Sequence, residues 1–185
     1  MTILAIADID DLHWPYGNIH ADILLSCGDV FDEVILEAAS VCGCHAVFAV
    51  KGNHDRPCPF PEPIIDLHLQ IRRYGGLLFG GFNGSWRYKP RGSFLYLQDE
   101  ATALLQHFAA VDIFLAHNSP AKIYDKQDGI HCGFFALHDY IVEKSPSILI
   151  HGHQHVDEDS FFAETHVSGV YGYKLITIGN ETGKV

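Results

Sequence analysis

Five short apolar runs, each ending at a polar side chain able to bind a metal ion, constrain the fold more than any other feature. The runs are residues 2–7, 22–27, 45–50, 111–116 and 147–150. A short apolar run closed by Gly, Pro or a polar cluster predicts a buried strand that delivers a loop. Helical patterns lie between several of the runs, at residues 32–43, 98–110 and 133–144. Because right-handed crossovers place successive parallel strands side by side, we expect the strand tips to share one edge.

Four further segments have the turn signals and apolar content of β-strands. They are residues 64–73, 76–81, 160–168 and 172–178. Gly75 and Gly76 lie between the first two segments and predict a hairpin turn there. The chain is therefore expected to combine parallel strands joined by helices with antiparallel strands joined by turns.

The composition is typical of a globular protein, and we expect residues 1–185 to form a single domain. A formal charge of −11 argues against an extended nucleic-acid partner. No apolar run approaches the roughly 20 residues of a membrane span, and the N-terminus lacks the basic segment of a signal peptide. The five cysteines, an odd number without a framework spacing, indicate reduced thiols. We therefore expect a cytoplasmic protein without a membrane partner, and leave its oligomeric state open.

The strand tips carry carboxylates, an amide and imidazoles. These side chains are Asp8, Asp10, Asp29, Asn53, His117, His153 and His155. A single Asp is readily explained as a helix cap or an Asx turn, but that explanation would have to be repeated independently at successive strand ends. Imidazoles and carboxylates suit first-row divalent cations, to which an amide oxygen adds a neutral ligand. Seven ligands are too many for one tetrahedral ion and match two ions that share one carboxylate.

The order of these tips resembles the calcineurin-like metallophosphoesterases, which carry D-x-H, G-D, G-N-H-[DE], a lone His and G-H-x-H at strand ends. The matching segments are Asp8-Ile9-Asp10, Gly28-Asp29, Gly52-Asn53-His54-Asp55, His117 and Gly152-His153-Gln154-His155. The resemblance spans almost the whole chain, and G-N-H-D followed by G-H-Q-H is a specific signal. It implies an α/β (α+β) fold that is a four-layer α-β-β-α sandwich of two mixed β-sheets.

The resemblance also implies a role for each matching residue. Asp29 would bridge two divalent ions, and the first ion would be held by Asp8, the third position of the first motif and His155. The second ion would be held by Asn53, His117 and His153. His54 would lie beside the scissile phosphate as a proton donor or charge stabiliser, and Asp55 would orient or charge it.

Two further side chains are predicted to contact the substrate. Arg56 follows the G-N-H-D segment directly, and its planar fork suits a phosphate oxygen, although a surface ion pair explains it equally well. Asn118 follows His117 and is placed at the same strand tip. The loops at residues 82–91 and 118–131 are expected to set substrate choice.

The first motif departs from the family at Asp10, where the family has His. Either Asp10 replaces that His as a carboxylate ligand, or Asp11-Leu12-His13 is the true D-x-H after a gain of three residues. The first interpretation keeps Asp8 at the strand tip and makes the site richer in oxygen, which favours manganese, iron or magnesium over zinc. Manganese is the first choice among the cations, and nickel is a further candidate.

The implied activity is hydrolysis of a small phosphodiester, or phosphomonoester, with a metal-activated water at a binuclear centre. The stretch from His117 to Gly152 resembles the small class that includes brain-expressed phosphodiesterases of this fold, which favours the diester. Some proteins of this fold act as interaction scaffolds with little hydrolytic activity, so a scaffold is the alternative function. His54 argues for the enzyme, because a scaffold has no need of a proton donor beside a metal ion.

Overall fold

The computed structural model describes residues 1–17, 19–124, 126 and 128–179. Its helices are α1 (Asp32–Val41), α2 (Gln98–Leu105) and α3 (Phe135–Lys144). Its strands are β1 (Thr2–Ala7), β2 (Ile23–Ser26), β3 (Ala46–Ala49), β4 (Ile65–Asp66), β5 (Ile71–Tyr74), β6 (Leu77–Phe82), β7 (Ser85–Trp86), β8 (Leu95–Tyr96), β9 (Ile113–Ala116), β10 (Ile148–His151), β11 (Asp159–Phe162), β12 (Thr165–Gly169) and β13 (Gly172–Thr177). Among the described residues, no helix is long and apolar enough to cross a membrane.

Two mixed β-sheets form the centre of the fold. The first has the order β13-β1-β2-β3-β4, in which β13 is antiparallel to β1 and the other pairs are parallel. The second has the order β11-β12-β10-β9-β6-β5, with parallel pairs in the middle and an antiparallel pair at each edge. Strands β7 and β8 form a separate parallel pair.

Side chains on both faces of each sheet are buried. Ile3 on β1 faces the core between the sheets, together with Phe79 and Ile150 of the second sheet. Leu4, the next residue on β1, faces the opposite way and packs with Ile35 of α1. Because side chains alternate between the faces of a strand, a strand covered on both faces must be apolar throughout. Helices α2 and α3 cover the outer face of the second sheet, so the predicted four-layer α-β-β-α sandwich of mixed sheets is confirmed.

The strand predicted at residues 64–73 was wrong as a single element. Ile65–Asp66 pairs with β3 in the first sheet, whereas Ile71–Tyr74 pairs with β6 in the second. Between them Leu69 adopts a left-handed conformation, with φ 54°. The chain crosses from one sheet to the other here, and a period-two pattern does not register such a crossing.

Candidate metal centre

Four of the predicted ligands lie at strand tips in backbone conformations that side chains rarely adopt. Asp8 and Asp29 follow β1 and β2 with φ 54° each, and His153 and His155 follow β10 with φ 63° and 49°. Residues other than glycine enter this region at a cost, so they persist there only where the surroundings hold them. Backbone strain of this kind is concentrated at functional sites.

The glycines of two motifs allow the tip loops to approach one another. A Cβ atom at Gly52 would lie 2.0 Å from Oδ1 of Asp29, and one at Gly152 would lie 2.7 Å from Oδ2 of Asp8. Neither position has room for a side chain. The loops carrying the two glycines are therefore packed directly against the two carboxylates.

Three predicted ligands form a compact cluster. One ligand atom from each of Asp8, Asp29 and His117 lies within 4.8 Å of the other two. The side chain of Asp8 is only 5% exposed and that of Asp29 only 11%. Buried carboxylates need a compensating positive charge, so this cluster has the composition of a cation site.

His117 fits a metal ligand closely. Its Nδ1 atom lies 2.8 Å from the carbonyl oxygen of Cys27, which can only accept, so Nδ1 carries the proton. The Nε2 atom then faces Oδ1 of Asn53 at 3.0 Å and Oδ2 of Asp29 at 3.3 Å. Three electron-rich atoms converge there, and either a proton or a cation must lie among them. A histidine whose second nitrogen donates to a carbonyl is the usual arrangement around bound metals.

The electrostatics of the cluster agree with this geometry. Burial opposes charge on both Asp29 and His117. The Asp29 carboxylate nevertheless raises the pKa of His117, and His117 together with the backbone N–H of His54 lowers the pKa of Asp29. The site therefore stabilises a negative Asp29 together with a positive partner. A proton on Nε2 of His117 and a cation bound there are two ways of supplying that partner.

The two histidines of G-H-Q-H lie beside Asp8. The backbone N–H of His153 donates to Oδ2 of Asp8 at 2.8 Å, and Nε2 of His155 lies 3.7 Å from Oδ1. Burial, followed by the neighbouring His117 and His131, lowers the pKa of His153 to about 2, which keeps its imidazole neutral. A neutral imidazole is the form that binds a metal ion.

The structure places the candidate ligands of the two first-motif interpretations differently. Asp10 is exposed and lines a cavity of about 300 Å³ together with Asp8 and Asp29. His13 is 87% exposed and lies against Glu37 of α1, with 3.4 Å between Nδ1 and Oε2. The placement therefore favours Asp10 over His13 as the additional ligand.

His54 opens onto the same cavity. Its side chain is exposed, while its backbone N–H donates to Oδ1 of Asp29 at 2.8 Å. Oδ2 of Asp55 accepts the backbone N–H groups of Gly52 and Asp29 at 2.7 and 3.0 Å. Asp55 thus ties together the two tip loops, a role that the sequence did not indicate. Burial raises its pKa to about 6.

The two predicted substrate contacts are placed differently. Arg56 is exposed and lines a smaller neighbouring cavity with Lys51, His54 and Asp55. Asn118 is fully buried, and its amide nitrogen donates to the carbonyl of Cys132 at 2.8 Å. This burial is at odds with the prediction that Asn118 touches the substrate, because its amide is used to fix the loop after β9.

Three residues near the centre were missed by sequence reasoning. Tyr88 accepts a hydrogen bond from Nδ2 of Asn53 at 3.3 Å, which turns Oδ1 of Asn53 toward His117. Phe31 and Tyr171 line the cavity in front of the carboxylates. The loop that contains Tyr88 is conspicuous in the sequence for its basic residues, but its Arg87 pairs with Glu100 at 3.0 Å.

Comparison with solved structures shows the fold. Phosphopantetheinyl hydrolase PptH from Mycobacterium tuberculosis is 12% identical with a TM-score of 0.63, over 100% of this chain and 98% of that one. TT1561 of Thermus thermophilus is 14% identical with a TM-score of 0.62, over 92% and 89%. Vps29 from Entamoeba histolytica complexed with Zn²⁺ is 14% identical with a TM-score of 0.54, over 98% and 88%. At these identities the likeness establishes architecture alone.

The sequence itself establishes the family. No curated protein sequence matches the chain significantly. The family model described as calcineurin-like phosphoesterase matches residues 1–157, which include every strand tip described above. Divalent metals are the cofactors of this family, and the cluster of Asp8, Asp29 and His117 is a candidate site for them. The chain belongs to the calcineurin-like phosphoesterase family.

Proposed function

We propose that this protein hydrolyses a small phosphate ester, with a phosphodiester as the first choice, using divalent cations held at the strand tips. The observation that carries the proposal is the convergence of Asp8, Asp29 and the buried His117, together with the cavity that Asp8, Asp29 and the exposed His54 line. Candidate metal ligands and an exposed imidazole on one cavity suit metal-assisted phosphate hydrolysis.

The chain's own residues divide the work between binding and proton transfer. Two cations, with manganese first and iron, magnesium, zinc or nickel as alternatives, would neutralise phosphate charge and lower the pKa of a water molecule. Asp29 clusters with both Asp8 and His117 and is the candidate shared ligand. The exposed His54 imidazole is free to donate a proton to the leaving-group oxygen.

The cavity also limits the partners of the proposed reaction. Its polar lining includes Asp8, Asp10, Asp29 and Asp55, whose charge the two cations would offset. The overall charge of −11 still opposes the approach of a polyanion. A small substrate with a single phosphate group, encountered in the cytoplasm, fits this surface better than an extended nucleic acid or an anionic membrane.

The proposal is tested by hydrolysis of bis-p-nitrophenyl phosphate and p-nitrophenyl phosphate with and without Mn²⁺. We expect turnover that depends on the cation, faster on the diester, and reduced about 10²- to 10⁴-fold in His54→Ala with metal content unchanged. The matched control is His166→Ala, which removes a histidine of β12 that is paired with Asp159 of β11, the edge strand of the second sheet. Equal rates in His54→Ala and His166→Ala would remove the proton-donor role.

A scaffold function is the second candidate, and the exposed Asp10 is the observation that favours it. Poor binding by this exposed carboxylate would weaken the first cation site, and the fold is shared with Vps29. Absence of turnover with Mn²⁺, Fe²⁺, Mg²⁺, Zn²⁺ and Ni²⁺, in protein that still binds the cations, would support the scaffold over the enzyme.

A further inference from the structure

Two exposed aromatic rings line the cavity in front of the candidate metal centre. Tyr171 is 53% exposed and Phe31 is 39% exposed, and both line the 300 Å³ cavity together with Asp8, Asp29 and His54. Rings of this size normally find a partner, because leaving them in water forfeits their burial. Here the described partners cover only part of each ring.

Tyr171 packs against a predicted metal ligand at the edge of the cavity. It lies in the connection between β12 and β13, at the point where the chain passes from the second sheet to the first. Its ring centroid is 5.0 Å from that of His155, with 30° between the planes. The ring therefore extends the surface of a predicted ligand toward solvent.

Phe31 is fixed by the start of a helix. Its carbonyl oxygen accepts the backbone N–H groups of Val34 and Ile35 at 2.9 and 3.0 Å, so its backbone belongs to the first turn of α1. It follows Asp29 by two residues. The backbone of each residue is thus held by regular structure, Phe31 at the start of α1 and Tyr171 next to β13. The two side chains are therefore preorganised for binding.

The other residues that line the cavity limit which ligand groups can bind beside the two rings. Its charged members are carboxylates, from Asp8, Asp10, Asp29 and Asp55, and its imidazoles come from His54 and His155. No lysine or arginine lines this cavity among the described residues; Lys51 and Arg56 line the smaller one beside it. With the charge of these carboxylates offset by the proposed cations, a second anionic group on the substrate would find no lysine or arginine to pair with among the described residues that line this cavity.

We propose that Phe31 and Tyr171 bind the organic group of the phosphate ester, and that they select a flat aromatic group without further negative charge. This inference rests on the proposed function, since it names the substrate class of the same site. An aromatic ring against these side chains gains stacking that an alkyl group does not, and it buries more apolar area than a methyl group does. The specificity comes from the rings, while the phosphate is held by the metal side of the cavity.

The test compares two stable analogues, phenylphosphonate and methylphosphonate, by calorimetric titration of the Mn²⁺-loaded protein. We expect the phenyl compound to bind about tenfold more tightly to the wild-type protein. The preference should fall to about threefold or less in Tyr171→Ala and in Phe31→Ala, with the affinity for methylphosphonate unchanged. The matched control is Phe161→Ala, which removes a ring that is 77% exposed on β11 and is expected to leave the preference intact.

Equal affinities of the wild-type protein for the two phosphonates would overturn the inference, as would a preference that survives in both variants. Circular dichroism of each variant excludes misfolding as the cause of a loss, and the unchanged methylphosphonate affinity shows that the metal side is intact. The two proposals can be contradicted independently. A preference for the phenyl compound without turnover would contradict the hydrolase function and support the aromatic binding site. Turnover without that preference would support the hydrolase function and contradict the aromatic binding site.

Discussion

Replacing Gly52 by Ala is the perturbation whose effect follows most directly from the geometry. The backbone of Gly52 is not in the left-handed region, so alanine meets no conformational penalty there. The added Cβ atom, however, would lie 2.0 Å from Oδ1 of Asp29 and 2.6 Å from its Cγ, whereas real Cβ contacts essentially never fall below 3.0 Å. The carboxylate must therefore retreat by about 1 Å, and the backbone nitrogen of Asp29, which would lie 2.6 Å from the added Cβ atom, must shift as well.

The cost of that retreat has two parts. The 2.8 Å hydrogen bond from the backbone N–H of His54 to Oδ1 is lost, and a hydrogen bond to a charged group contributes about 1.5–3 kcal/mol. Overpacking of a tight site adds about 1–3 kcal/mol. The free energy of unfolding should fall by about 2.5–6 kcal/mol, a large share of the roughly 5–15 kcal/mol typical of a domain.

Urea unfolding of the metal-free protein measures the change in the free energy of unfolding, and titration with Mn²⁺ measures the change in affinity of the cation site. We expect a lower unfolding midpoint and at least a tenfold weaker affinity for Mn²⁺, because the displaced Asp29 is a proposed ligand of the centre. The control is Gly179→Ala, where a Cβ atom meets nothing within 4 Å. Wild-type stability and wild-type Mn²⁺ affinity in Gly52→Ala would refute the close approach of the two loops.

Three further predictions concern residues around the centre and the thiols. Tyr88→Phe should weaken Mn²⁺ binding severalfold without a loss of folding, because the hydrogen bond that orients the Asn53 amide is removed; calorimetric titration measures it. His131→Ala should weaken Mn²⁺ binding about tenfold, since its ring lies 5.1 and 5.9 Å from those of the two G-H-Q-H histidines, whereas His166→Ala should not; wild-type affinity in both would contradict this role. With iodoacetamide at pH 8, the exposed Cys58 should be alkylated well before Cys44, because burial, with nearby acidic groups, raises the pKa of Cys44 to about 11; mass spectrometry over time would show the reverse order if burial were not protecting the thiol.

The parts of the fold and the site that sequence predicted are those encoded locally. Each of the five buried strands is a mostly apolar run with a polar residue following it, so the tips at Asp29, Asn53 and His117 were visible one segment at a time. The layering follows from the same runs, because a strand that is apolar on both faces must be covered on both. The convergence of the tips then required only the rule that parallel strands end at a common edge.

The parts that sequence did not predict depend on contacts between distant segments. Tyr88 reaches Asn53 from 35 positions away, and Tyr171 enters the cavity from the far end of the chain. The crossing at Leu69 looked like a continuous strand, because nothing in an apolar alternation says which sheet a residue joins. Asn118 stands next to a predicted ligand but points into the protein, since adjacency in sequence does not fix the direction of a side chain.

The manganese content of the protein shows directly whether the strand tips bind cations. Wild-type protein and Asp29→Ala are equilibrated with Mn²⁺, passed through a desalting column and analysed for manganese per chain. We expect about two ions per wild-type chain and close to none in Asp29→Ala, because Asp29 is the proposed shared ligand. Equal manganese in the two proteins, or none in the wild type, would contradict the assignment of the strand tips as a metal centre.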